Sequence, residues 1–136
     1  MSKKILVVGS TNTDMVVKAA RLPRPGETAL GGTFLMNAGG KGANQAVAAA
    51  RLGAQVAFVC KTGNDIFGQQ AKQLFASEGI DTSFVFSDAE HPSGVALITV
   101  DAQEKTVSWW HRAPMRIYFL TIWHLLPLPS NNRIWR

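Results

Sequence analysis

Apolar positions along this chain follow two rhythms. Residues 4–8, 55–60 and 94–100 form short, almost continuous apolar runs rich in β-branched side chains, the pattern of buried strands. Residues 43–52 and 65–78 instead predict helices. In the first, Ala46, Val47, Ala49 and Ala50 are small enough to lie close against a sheet; in the second, Phe67, Ala71, Leu74 and Phe75 share one face. Gly53 and Gly79 stop these helices. Residues 15–19 are a further apolar stretch, and 82–86 a further strand. Residues 21–27, with Pro23, Pro25 and Gly26, form a turn-rich connection. Residues 28–30 and 33–36, separated by Gly31-Gly32, predict a hairpin. Alternating strand and helix predicts right-handed βαβ units around a largely parallel sheet, with 94–100 as a further strand. The hairpin does not fit a helix-covered sheet and is expected as a small flap outside it.

Composition narrows the class. At 136 residues the chain suits one modest domain. Its single cysteine, Cys60, excludes an internal disulfide framework and fits a reducing cytoplasm. The apolar run after Lys3-Lys4 is too short for a signal peptide, and no segment approaches the ~20 residues of a membrane span. The net charge of +5 is unevenly distributed. Residues 1–104 carry nine basic and nine acidic side chains, whereas 105–136 carry Lys105, Arg112, Arg116, Arg133 and Arg136 and no acid. All twelve glycines precede Lys105, and all four tryptophans follow it. The two parts therefore read as unlike texts.

The run Gly39-Gly40-Lys41-Gly42-Ala43-Asn44 holds the most chemistry. Its glycines permit positive φ and close backbone approach. The helix that follows presents unsatisfied N–H groups at its start, Lys41 adds a charge, and Asn44 a donor and an acceptor. Two readings stay open: a glycine-rich helix cap, or a cradle for a polyhydroxylated or anionic ligand. The spacing is neither a Walker A loop nor a dinucleotide fingerprint. Ligands of doubly wound sheets gather beyond the carboxyl ends of the strands. The loop Gly9-Ser10-Thr11-Asn12-Thr13-Asp14 leaves the first strand at that edge, so Asn12 and Asp14 are expected to face Lys41 and Asn44 across one pocket. Asp14 also suits a helix or turn cap.

Residues 1–104 resemble the N-terminal part of the PfkB carbohydrate kinase family. The resemblance rests on Gly9–Asp14 as a first sugar loop and on Pro23-Arg24-Pro25-Gly26-Glu27-Thr28 as the lead-in to a β-lid. It rests equally on the Lys41 run with Gly53 and Gly63 at the family spacing, on Gly63-Asn64-Asp65-Ile66-Phe67-Gly68, and on Ser93-Gly94-Val95-Ala96-Leu97-Ile98. It implies a ribokinase-like α/β three-layer sandwich with a lid at about 15–37. It implies ATP-dependent phosphorylation of D-ribose, with the sugar held by Asn12, Thr13, Asp14, Gly40, Lys41, Gly42, Ala43 and Asn44. ATP, Mg²⁺ and a monovalent cation are the implied cofactors, and a homodimer through the lid the implied assembly. Neither the family's anion hole with its catalytic Asp nor its nucleotide loops match any segment here, so no catalytic residue is assigned. The resemblance leaves room for another sugar or nucleoside kinase of the family, and for a non-catalytic sugar-binding or dimerising fragment.

The family pattern stops after Gln103. A one-nucleotide frame shift in a coding sequence for the family's expected continuation reproduces residues 104–116, including the single-codon residues Trp109, Trp110 and Met115. Residues 105–136 are therefore expected to be an out-of-frame tail on a truncated domain, and not a nucleic-acid or membrane arm. On that expectation His111 and His124 are not ligands. Residues 107–110 can still pair as a strand, and the apolar run 117–128 can collapse onto an exposed sheet face.

Overall fold

The described residues divide their strands between two separate sheets. The structure, a computed structural model, describes residues 3–111. In chain order the elements are β1 (Lys4–Val8), β2 (Asn12–Lys18), β3 (Thr33–Gly39), α1 (Lys41–Arg51), β4 (Gln55–Gly63), α2 (Ile66–Ser77), β5 (Val85–Asp88), β6 (Val95–Val100) and β7 (Thr106–His111). The first sheet is parallel, in the order β1-β4-β5; the second has the order β3-β2-β6-β7. No helix among the described residues is long and apolar enough to cross a membrane.

The parallel sheet carries the core. Val56, Phe58 and Cys60 of β4 alternate onto one face and meet Ala43 and Ala46 of α1 and Phe75 of α2. The rings of Phe58 and Phe75 pack edge to face, their centroids 5.1 Å apart. Such a pair adds about 0.5–1.5 kcal/mol to the burial of the two rings. Burial pushes the Cys60 thiol up to about 12, so it acts as a small core hydrophobe. Both helices cover the same face, so the described residues form two of the three expected layers. Residues 4–8 form the expected strand, but not a buried one: Ile5, Leu6 and Val8 are exposed, and β1 pairs only with β4 among the described residues.

Several expectations are corrected. The hairpin is not made by 28–30 with 33–36; β3 pairs antiparallel with β2, from Lys18↔Thr33 to Asn12↔Gly39. The intervening loop folds on itself instead, with the Arg21 guanidinium gripping the Glu27 carboxylate, which also accepts from the Arg24 N–H at 2.9 Å. Residues 94–100 form the expected strand, in the second sheet. β6 pairs parallel with β2 (Asp14↔Ala96) and antiparallel with β7 (Ala96↔Trp110), so the flap strands belong to a four-stranded sheet, called the lid below for its position. Residues 107–110 do pair as a strand, within β7. The strand at 82–86 starts later, at Val85, because Asp81 makes only an isolated bridge to Ala57 and residues 82–84 turn between them. Both helices form as expected, α1 starting two residues earlier, at Lys41. The run 117–128 and His124 lie outside the described residues.

Asp65 joins core and lid. It caps α2 by accepting from the Gly68 N–H at 2.9 Å, and its other contacts are the Ser93 N–H and hydroxyl, both at 2.7 Å. Ser93 Oγ in turn accepts from the Gly63 N–H at 2.9 Å. Ser93 leads directly into β6, so this knot anchors the lid to the start of α2. Burial works to raise the Asp65 pKa, but the hydrogen bonds from Ser93 and Gly68 outweigh it and hold the carboxyl below its ordinary value. A depressed carboxyl stabilises the fold above its unfolded pKa, and that contribution disappears as pH falls through the folded value. Asp65→Ala is expected to lower stability by about 1–2 kcal/mol at pH 7. Denaturant titrations of both chains should show this difference shrinking below about pH 4; a difference independent of pH contradicts the assignment.

Candidate functional site

Two loops interlock at the carboxyl end of β1. The Gly9 N–H donates to the Val59 carbonyl at 3.1 Å, and the chain then passes directly beneath the start of α1. A Cβ on Gly42 would stand 2.7 Å from the Gly9 Cα, and one on Gly9 would meet the Gly42 Cα at the same distance. Gly40 has φ 102°, and a Cβ there would lie 2.6 Å from the Ser10 carbonyl oxygen. That carbonyl accepts from the Ala43 N–H at 3.1 Å, so backbone caps a helix end that no side chain caps. The glycines thus serve first to let chain pack on chain. Gly39 does the same for a side chain, leaving the space that the Asp14 carboxylate fills.

The interlock forms the floor of a cavity of about 280 Å³. Ser10, Thr11 and Asn12 line it from the first loop, and Gly40 and Lys41 from the second. Lys61 enters from β4, and Gly94, Val95, Trp110 and His111 from the lid. Its size lies just below the ~300–1,000 Å³ of typical small-ligand pockets. The side chain of Asn12 donates to Asp14 Oδ1 at 2.5 Å, which fixes the amide while the carboxylate packs against Gly39. The Thr11 hydroxyl is buried with no partner among the described residues. Two ammonium groups, an amide and hydroxyls around a small cavity can hold hydroxyl groups of a compact polar molecule.

Of the sequence-derived site residues, the structure brings Asn12, Gly40 and Lys41 to the cavity wall. Asp14 stands behind Asn12. Thr13 is buried, its N–H donating to the Gly94 carbonyl at 2.9 Å, and Gly42 and Ala43 are buried in the interlock. Asn44 is not on the wall of this cavity. Three residues along α1, about 4.5 Å of rise, carry it past the rim into the groove that Asn37, Leu74 and Glu78 also line.

The cavity also contains residues that sequence reasoning did not select. Ser10, Thr11, Gly94 and Val95 lie inside motifs read from the sequence, so the signal was present without a role attached. Lys61 carried only its place at the carboxyl end of a central strand. His111 pairs opposite Val95 and also lies on the cavity wall.

The family model for pfkB family carbohydrate kinases matches residues 2–125. The ribokinase of Haemophilus influenzae is 47% identical over 100 residues, covering 74% of this chain and 33% of that protein. The ribokinase of Mus musculus is 44% identical over 103 residues, covering 76% and 32%. Among solved structures, the ribokinase of Arabidopsis thaliana complexed with ribose and ATP aligns with a TM-score of 0.73 at 32% identity, over 82% of this chain and 36% of that one. The Giardia lamblia ribokinase aligns with a TM-score of 0.75 at 28% identity, over the same shares. The chain thus spans about a third of the length of the relatives it matches. A family match across most of the chain, joined to the interlocked loops and the lidded cavity, has one consequence: this chain belongs to the pfkB family of carbohydrate kinases.

Proposed function

We propose that this chain forms the acceptor-sugar side of a kinase that phosphorylates D-ribose, and that by itself it binds ribose without phosphorylating it. The observation that carries this reading is the cavity that gathers Asn12, Gly40 and Lys41 beneath a β-lid. Support comes from curated relatives named ribokinase and from the ribose and ATP held by the Arabidopsis protein.

The residues act by positioning. Asn12, fixed by Asp14, offers its amide to neighbouring hydroxyls, and Lys41 donates from the opposite loop. The lid shields the bound sugar from water. ATP with Mg²⁺ supplies the phosphoryl group in such a reaction, which depends on positioning and on relief of charge. Among the described residues no three or more His, Cys, Asp or Glu side chains come together to hold a metal ion, so no step is assigned to one.

The lid has a second, apolar face. Register places Met15, Val17, Phe34, Met36, Leu97, Val107 and Trp109 on one side, opposite to Asn12, Asp14 and Trp110. Phe34, Leu97 and Trp109 are 60%, 53% and 75% exposed. We assign this face to a second copy of the chain, packed lid against lid; contiguous apolar area of this kind marks an interaction surface.

Two outcomes are expected. Calorimetry with the 136-residue chain should show ribose binding that Asn12→Ala weakens about tenfold, the worth of a hydrogen-bonding side chain left unreplaced. A coupled assay should detect no ATP-dependent phosphorylation. Absence of ribose binding, or robust turnover, contradicts the proposal. Sedimentation should show a dimer that Phe34→Lys converts to monomer; a monomeric unsubstituted chain rejects the interface.

A further inference from the structure

Lys61 sits at the carboxyl end of β4, where strand alternation turns it away from Phe58, Cys60 and the helix-covered core. Its ammonium lies 2.5 Å from Asp88 Oδ2, and its side chain remains 30% exposed, on the wall of the cavity. Asp88 is only 9% exposed and is itself fixed. Its Oδ1 accepts from the Glu90 and His91 N–H groups at 2.9 and 3.2 Å, and its Oδ2 is 3.3 Å from His91 Nδ1. The carboxylate is therefore held by backbone from the following turn, and it holds the lysine in place.

An ammonium has three N–H donors. Asp88 takes one. The cavity wall contains Lys41 and Lys61 but no carboxylate among its described residues, so the other donors of Lys61 face a space without a protein anion. The neutral hydroxyl oxygens of a sugar are acceptors suited to that space. A half-buried lysine whose only task was to tie β4 to β5 would gain little from opening on a cavity, since ion pairs of this kind contribute little net stability.

We propose that Lys61 is a sugar-contacting residue, donating from its ammonium to a hydroxyl oxygen of the acceptor, with Asp88 as the positioning residue that aims it. The inference rests on the ribose reading of the cavity. Calorimetry with D-ribose on the full chain tests both and separates them. Lys61→Met is expected to weaken ribose binding about tenfold or more, and Asp88→Asn to weaken it less, because the lysine remains but is no longer aimed. A Lys61→Met chain with unchanged ribose affinity overturns the inference and leaves the ribose cavity standing, whatever its Tm. No binding by the unsubstituted chain overturns the cavity reading and this inference together. Should Lys61→Met fail to fold, ¹³C-lysine NMR of the unsubstituted chain decides. Saturating ribose is expected to shift the Lys61 Cε resonance, assigned by its loss in Lys61→Arg; a resonance that stays fixed while that of Lys41 moves overturns the role.

Discussion

The rest of this structure depends on the contact between Gly9 and Gly42. Two stretches of backbone meet there at a distance that leaves no room for a Cβ on either side. One belongs to the loop leaving β1, the other to the first turn of α1. Their contact sets where Ser10, Thr11 and Asn12 stand relative to Gly40 and Lys41, and so sets the shape of the cavity floor. It also aligns the Ser10 carbonyl with the Ala43 N–H, so one contact both packs the loops and caps the helix. A helix start whose N–H groups are partly met by a neighbouring loop is a fixed wall rather than a free anion site.

The lid is attached to this floor at two points, and both are backbone-rich. β2 follows the first loop directly, and β6 follows Ser93, which the Asp65 carboxylate holds against the start of α2. Parallel pairing of β2 with β6 then joins the two attachments into one sheet. Strand alternation sorts the residues of this sheet between its two faces. Asn12 and Asp14 lie on one face, and Phe34, Leu97 and Trp109 on the other.

Much of this was legible locally. The small residues of α1, the Phe67–Phe75 stripe of α2 and the stops at Gly53 and Gly79 act within a few residues, and each helix formed where its pattern placed it. The placement of β6 was not legible. An apolar run such as Val95–Val100 is the same whether helices or a lid strand cover it, and only pairing with β2, some eighty residues upstream, decides. The hairpin was misread for a related reason. Gly31-Gly32 suggested a tight turn, but β3 found its partner across a long loop closed by Arg21 and Glu27. At the site, the glycine run and Asn12 were visible as chemistry, and the interlock explains why so many glycines were needed. Lys61 was not visible, because one charged residue ending an apolar strand carries no periodic signal.

The most direct test of the account is Gly42→Ala, measured for thermal stability and ribose affinity together. By helix propensity alone, alanine in this position should stabilise α1 by up to about 1 kcal/mol. The interlock predicts the opposite: a lower Tm and weakened ribose binding, because the new Cβ would push α1 away from the Gly9 loop. A variant with raised stability and undiminished ribose affinity would show that the two loops need not touch, and would contradict the account at its base.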